Sequence, residues 1–219
     1  MPDYVLRHKK TKDIIYKGIF DCELAFIDNA KLDKVDFSYA DFTNWDLPGV
    51  DFSKTLLIGA VFDSADLQGA DFSHAILNNT SFKYTLLIET NFTKAQLAKA
   101  TFLECQMLKT SFQGAFLDSA SFKDIGFDSV NLWLADLRYT SFENVKFDTS
   151  CLTLLCYSFN LDADDRLVSQ LFCHFARLRT NRCSPVIRYA HRILLSSWPG
   201  SWLKNLFGQK YRINEIDEV

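Results

Sequence analysis

Residues 60–79 read Ala60-Val61-Phe62-Asp63-Ser64, Ala65-Asp66-Leu67-Gln68-Gly69, Ala70-Asp71-Phe72-Ser73-His74, Ala75-Ile76-Leu77-Asn78-Asn79. Each block of five opens on alanine and carries a large apolar residue at its third place. Followed in both directions, that third place runs through 24 positions from Phe37 to Leu152, of which 13 are Phe, 10 are Leu and one is Met107. Two places earlier the residue is small: ten Ala, six Thr and four Val, with Trp45, Cys105, Ile125 and Ser150 as exceptions. The place just before the large residue is often Asp or Asn, as at Asp36, Asp41, Asp46, Asp51, Asp66 and Asp71.

A period of five fits neither a helix of 3.6 residues per turn nor a strand of period two. It asks for a corner every five residues. Four corners close a coil of about 20 residues, and stacked coils make a β-solenoid. The large and small places face the axis, and the remaining places face out. With coils ~4.8 Å apart, the repeats span roughly 29 Å. From Phe42 to Phe122, Phe alternates with Leu or Met107. That ten-residue period sets Phe columns on two opposite faces, 42/62/82/102/122 and 52/72/92/112. The alternation breaks at Phe127, which predicts an altered last coil.

The motif, in Ala40-Asp41-Phe42-Thr43-Asn44 as in Ala65-Asp66-Leu67-Gln68-Gly69, resembles the pentapeptide repeat family, whose signature is small–Asp/Asn–Leu/Phe–polar–any. The match is strict over residues 35–154 and looser from about residue 20. The resemblance implies a right-handed quadrilateral β-helix. The expected architecture is therefore a β-solenoid of about six to seven coils over residues 20–158. An N-terminal β-hairpin cap occupies residues 1–19, and an α-helical C-terminal extension occupies residues 159–219. The hairpin strands are Tyr4–Arg7 and Ile14–Lys17, and Trp45 packs where the hairpin enters the first coil. In the extension Asp162 or Asp164 can cap a helix, and Leu167, Leu171, Phe172, Phe175 and Leu178 follow at helical spacing.

The 219 residues include 20 Phe against 8 Gly and 4 Pro. A hydrophobic content of 48 % excludes wholesale disorder. The scarcity of Gly and Pro predicts corners built from Asp, Asn, Ser and Lys rather than from residues with special dihedrals. The net charge of -3 divides into +3 for residues 1–19, -9 for 20–158 and +3 for 159–219. The N-terminus shows no apolar signal core, and the six cysteines fit no disulfide framework. A bacterial, cytoplasmic protein with reduced thiols is expected.

Chemistry-bearing motifs are missing: no phosphate loop, H-E-x-x-H or G-x-S-x-G occurs. Cys173, His174, Cys183 and His191 match no common metal spacing. The one Asp per repeat reads as a turn-forming rule rather than a catalytic pair. No enzyme activity, cofactor or metal is expected. The function is read as a protein-interaction scaffold with an unidentified protein partner, and a homodimer is a further expectation. The candidate surface comprises Leu56, Ile58, Ile76 and Phe116 on one Leu face and Leu86, Ile88 and Leu108 on the other, because contiguous exposed apolar patches bind something.

Two alternatives stand beside it. The resemblance implies DNA-mimicking proteins that bind type II topoisomerases such as gyrase and protect against quinolones; Asp36, Asp41, Asp46, Asp51, Asp66 and Asp71 would then form an acidic face. Yet 29 Å of duplex carries about 17 charges, and the repeat body has only -9. Direct nucleic-acid binding is not expected. The other alternative is a membrane-associated bacterial effector, in which the basic, Trp-containing segment with Trp198, Trp202, Leu206 and Phe207 makes peripheral membrane contact.

Overall fold

The structure is a computed structural model, and it describes residues 3–19, 23–32 and 35–148. Strands β1 (Asp3–Arg7) and β2 (Ile14–Ile19) pair antiparallel. Helix α1 (Glu23–Leu32) follows. From residue 35 the chain winds as a β-solenoid. Its short strands are β3 (Ser81–Lys83), β4 (Thr101–Leu103), β5 (Gln106–Leu108), β6 (Ser121–Lys123), β7 (Gly126–Asp128), β8 (Ser141–Glu143) and β9 (Lys146–Phe147). β3, β4, β6 and β8 form one parallel sheet, and β5, β7 and β9 another. Each pairing advances 20 residues, as in Phe82↔Phe102↔Phe122↔Phe142. Bridges such as Asp41↔Val61↔Ser81 and Asp51↔Asp71↔Asn91 carry the same register through the earlier coils.

The five-residue step follows from where its backbone N–H groups go. The large residue donates to the next coil (Phe62 N–H to the Ser81 carbonyl, 2.8 Å). The corner residue does so too (Ser64 to Lys83, 2.7 Å), and the small residue closes the turn (Ala65 to Phe62, 3.1 Å). The residue before the next large one donates backwards (Asp66 to Trp45, 2.9 Å). One N–H per step is left, on the residue after the large one. The Asp or Asn two places earlier accepts it: Asp51 from Ser53 at 2.8 Å, Asp66 from Gln68 at 3.0 Å, Asp71 from Ser73 at 2.8 Å and Asn91 from Thr93 at 3.0 Å. Where that place lacks Asp or Asn, a neighbouring coil can supply the acceptor. Asp63 accepts from Lys83 at 3.1 Å and Asn78 from Ala98 at 3.1 Å.

The corner itself is a turn closed by the i→i+3 bond with positive φ at its third residue, the signature of type II geometry. Among the described residues Gly occupies only four of these corners: Gly49, Gly59, Gly69 and Gly114. The others are residues such as Lys54 (φ 58°), His74 (60°), Lys94 (56°) and Leu134 (59°). Corners built from Asn, Ser, Lys and Asp are therefore present as expected, joined by Tyr, Glu, His and Leu, but they are not free of special dihedrals. Each corner does take the left-handed region, and ordinary L-residues adopt it at about 1–2 kcal/mol each because the ladder bonds and the buried neighbours on both sides leave no other path.

The tube is filled as the spacing predicts. Phe42, Phe52, Phe62, Phe72, Phe82, Phe92, Phe102, Phe112, Phe122 and Phe127 are fully buried, with the small residues beside them. Rings stack within a column: Phe82 on Phe102 at 5.0 Å and 4°, Phe102 on Phe122 at 4.7 Å and 2°. The two Phe columns also meet across the axis edge-to-face, as for Phe92 and Phe82 at 5.6 Å and 80°. This herringbone uses both favourable aromatic geometries at every level. Several threonines at small places bury their hydroxyls by donating to a carbonyl of the preceding coil, as Thr85 to Phe62, Thr90 to Leu67 and Thr110 to Leu87, at 2.9, 2.9 and 2.7 Å, while Thr80 donates to Leu77 of its own turn at 2.6 Å.

Two further expectations change. The coil at Phe127 is not altered in register, since Met107↔Phe127↔Phe147 pair in the regular way. Phe127 takes a Leu place while Leu132 takes the Phe place above Phe112, so the coil keeps its volume, and Phe127 meets Phe122 edge-on at 5.3 Å and 89°. Residues 23–32 are helix, not loose repeat. The stretch keeps the small–x–large spacing at Ala25–Ile27 and Ala30–Leu32, but Glu, Leu and Ala are strong helix formers and the helix wins.

The hairpin and α1 cover the first coil's open ladder edge. Asp41 N–H donates to the Arg7 carbonyl (2.9 Å), Lys9 N–H to Tyr39 (2.8 Å), and Asp46 N–H to the Glu23 carboxylate. Tyr4, Phe26 and Trp45 gather above Phe42, with Trp45 on Phe26 at 5.5 Å and on Phe42 at 5.4 Å. The expected contact of Trp45 with the hairpin is its ring pair with Tyr4, at 6.1 Å. The helical extension expected over residues 159–219 lies outside the described residues.

Candidate interaction surface

The 20-residue register decides which outward side chains share a face. Bridges Leu56↔Ile76↔Gln96↔Phe116↔Asp136 place Leu56, Ile76 and Phe116 in one ladder. Leu56 is 43 % exposed and Phe116 52 %, while Ile76 is half-buried, as is Ile58 two places beyond Leu56 on the same rung. Gln96 separates Phe116 from the other two, so the continuous apolar group is Leu56, Ile58 and Ile76. The second group sits half a coil away, on the opposite side. Leu86 and Ile88 flank buried Leu87 on one rung, and Leu108 follows on the next, where its carbonyl accepts from Glu89 N–H at 2.8 Å. The two groups are separate surfaces.

The acidic set does not form a face, which corrects that expectation. Each step of five turns the chain through a quarter coil. Asp36, Asp41, Asp46 and Asp51 therefore point to four different sides, and only Asp46↔Asp66 and Asp51↔Asp71 stack. Most of these carboxylates also accept from their own turns: Asp36 from Ser38 N–H at 2.8 Å, Asp41 from the Thr43 hydroxyl at 2.6 Å, and Asp51, Asp66 and Asp71 as above. Burial pushes the Asp41 carboxyl up, but the hydrogen bonds from Thr43 and the Lys12 ammonium at 3.4 Å outweigh it and hold it below its ordinary value. Burial raises Glu23, partly offset by the Asp46 N–H.

The register also assembles a surface the sequence reading did not single out. Lys54, His74 and Lys94 occupy successive corners on the edge between the Phe52 and Leu57 faces. Their 20-residue spacing was legible in the sequence, but it is informative only once the corner is known to point outward. Tyr84, Leu134 and Tyr139 are likewise exposed corner residues, and Trp133 precedes Leu134.

Among the described residues no group of His, Cys, Asp or Glu could hold a metal ion. Cys105 takes a small place inside the tube. Its thiol donates to the Phe82 carbonyl, and burial pushes its pKa up to about 12. Such a thiol packs as a small apolar group. No described helix is long and apolar enough to cross a membrane. Trp198, Trp202, Leu206 and Phe207 lie outside the described residues.

This geometry is that of a parallel β-solenoid with a corner every five residues. The family model of pentapeptide repeats matches residues 46–83 and 85–124, in eight copies. Those residues are pentapeptide repeats, and in the structure they wind as the β-solenoid described above. Among solved structures the chain is similar to the pentapeptide repeat protein Rfr23 from the cyanobacterium Cyanothece 51142, at 21 % identity and a TM-score of 0.30, covering 57 % of this chain and 94 % of that one. It is also similar to QnrB1, a plasmid-mediated fluoroquinolone resistance protein, at 20 % identity and a TM-score of 0.36, covering 54 % of this chain and 65 % of that one. A third is HetL, involved in heterocyst differentiation regulation, from the cyanobacterium Nostoc sp. strain PCC 7120, at 22 % identity and a TM-score of 0.32, covering 48 % and 59 %. The chain thus spans less than two thirds of the latter two. No curated protein matches it.

Proposed function

We propose that the chain is a non-enzymatic, cytoplasmic protein-interaction scaffold whose β-helix presents flat faces to a protein partner. One observation carries the reading. Leu56, Ile58 and Ile76 stand outward as a continuous apolar group on adjacent rungs of a fold whose axial apolar residues fill the tube. A face that leaves such residues in water gains by covering them, at roughly 25 cal/mol per Å². Ile76→Glu should leave the melting curve unchanged and abolish recovery of the partner in affinity capture read by mass spectrometry. Equal recovery by both proteins would remove this face from the function.

The gyrase reading draws on acidity, and the scatter of the six aspartates over four sides weighs against it. A supercoiling assay titrated with the protein tests it directly. Peripheral membrane contact through the segment with Trp198 and Trp202 is a separate proposal, and liposome flotation with and without residues 186–219 tests it. We further propose that the repeats continue past Asp148 to complete about six to seven coils and that residues 159–219 form the helical extension.

A further inference from the structure

We propose that the Leu57 face binds an acidic amphipathic α-helix laid along the solenoid axis. This rests on the scaffold reading and names the chemistry of its partner. On three successive rungs, residues 54–59, 74–79 and 94–99, there is no acidic residue. The apolar residues Leu56, Ile58 and Ile76 are bordered by Lys54, His74 and Lys94 on one corner and by Lys99 on the other. All four bordering side chains are exposed and make no hydrogen bond or ion pair with the described residues. Acids return only at the margins, with Asp36 at one end and Asp118 and Asp136 at the other. The opposite face differs. Around Leu86, Ile88 and Leu108 stand Asp66, Glu89 and Glu104, and Lys109 is paired to Glu89 at 2.9 Å.

Lysines stacked about two rungs apart, ~9.6 Å, repel one another weakly in water and attract a partner bearing carboxylates. The backbone of these rungs is already paired. Leu57 donates to Ile76, Gly59 to Asn78, Leu77 to Gln96 and Asn79 to Ala98, at 2.7–2.9 Å. An added β-strand would find no free ladder groups, so recognition falls to side chains. The spacing then selects a helix. Apolar side chains at rungs 56, 76 and 116 lie at about 0, 4.8 and 14.4 Å along the axis. Residues i, i+3 and i+10 of a helix, at 1.5 Å per residue, lie at about 0, 4.5 and 15 Å. An extended strand repeats its face every ~6.7 Å and misses these places by about 1.9 and 1.0 Å, against about 0.3 and 0.6 Å for the helix.

The test uses the full chain and a fluorescein-labelled helical peptide of about 14 residues, with Leu at i, i+3, i+7 and i+10 and Glu at the positions beside that stripe. Anisotropy titration should show binding that weakens as salt rises. Ile76→Glu should weaken it about tenfold or more, a loss of about 1.4 kcal/mol or more. The double change Lys54→Glu and Lys94→Glu should do the same with the apolar group intact, while Ile88→Glu on the opposite face should have no effect. Circular dichroism melts confirm that all three variants fold. The proposal is overturned by no binding, by equal binding of the Lys-for-Glu peptide, by equal binding of a peptide with Ala for Leu, or by sensitivity to Ile88→Glu. If the peptide fails while Ile76→Glu still abolishes partner capture, the scaffold reading stands and only the partner's chemistry is wrong.

Discussion

Most corners hold an L-residue at positive φ, and the glycines that do occur there are not equivalent. A Cβ on Gly59 would meet the Tyr39 ring at 2.8 Å, where Lys9 also reaches over to the Gly59 carbonyl and the ring. A Cβ on Gly69 would meet nothing within 4 Å. Gly69→Ala should therefore cost only the left-handed penalty, about 1–2 kcal/mol, and Gly59→Ala more than that, in urea unfolding of both variants. The reverse change at an exposed corner, Ser119→Gly, should stabilise by up to about 1 kcal/mol; a destabilisation would show that the corner conformation is not the strained element it is taken to be. Inside the tube, Phe92→Ala removes one ring from a stack and from two edge contacts. It should cost about 3–5 kcal/mol, and an unchanged melt would contradict the inward placement. The inward Phe92 was legible in the sequence because its neighbours five residues away repeat its pattern. The left-handed corner was not, because a corner place tolerates Lys, His, Tyr and Leu alike and leaves no compositional trace.

At the scale of elements, the parts that do not repeat were the least legible. The strands of the hairpin show in Tyr4-Val5-Leu6 and Ile14-Ile15-Tyr16, but α1 is hidden because Ala25–Ile27 and Ala30–Leu32 imitate the spacing of the repeats. Its role becomes visible in the contacts: the Glu23 carboxylate takes the Asp46 N–H that, one coil later at Asp66, finds a carbonyl instead. The hairpin makes the matching closure through Arg7 and Asp41. This junction should respond to acid. The folded Asp41 carboxyl lies below its ordinary value, so the folded state binds its proton less readily than the unfolded chain. Its stabilisation is full above about pH 4 and disappears as the pH falls through the lower folded value. Asp41→Asn should thus flatten the loss of stability between neutral and acid pH. Urea titrations of both proteins at pH 7 and pH 3 measure the difference, and parallel losses would mean that Asp41 contributes nothing to it.

Over the whole solenoid, core and surface obey different periods, and that separates what holds the fold from what the faces do. From Phe42 to Phe122 the core repeats every ten residues, Phe over Phe and Leu or Met over Leu, whereas the exterior repeats only every 20, because opposite faces carry different side chains. This is also why the fold could be read from sequence and the surface only in part: the core pattern recurs at every step, while Leu56, Ile76 and Lys94 are deviations whose meaning depends on which side they face. Deleting residues 61–70 preserves the five-residue phase and brings Phe72 onto Phe42, so every Phe column continues. Deleting only residues 61–65 also preserves the phase but sets Leu67 on Phe42 and turns the downstream coils by a quarter. The larger deletion should therefore be the more stable, by about 1–3 kcal/mol in urea unfolding. The shorter one should still fold, since the native coil at Phe127 tolerates Phe over Met107 in the same way. The ten-residue deletion also rotates the downstream exterior by half a turn. Leu86 then follows Leu56, Glu89 stands beside Gly59, and Lys94 passes to the other side. A protein of this kind should keep a cooperative melt and lose the acidic helical peptide. If it binds as the native chain does, the peptide does not read the charged border of the Leu57 face.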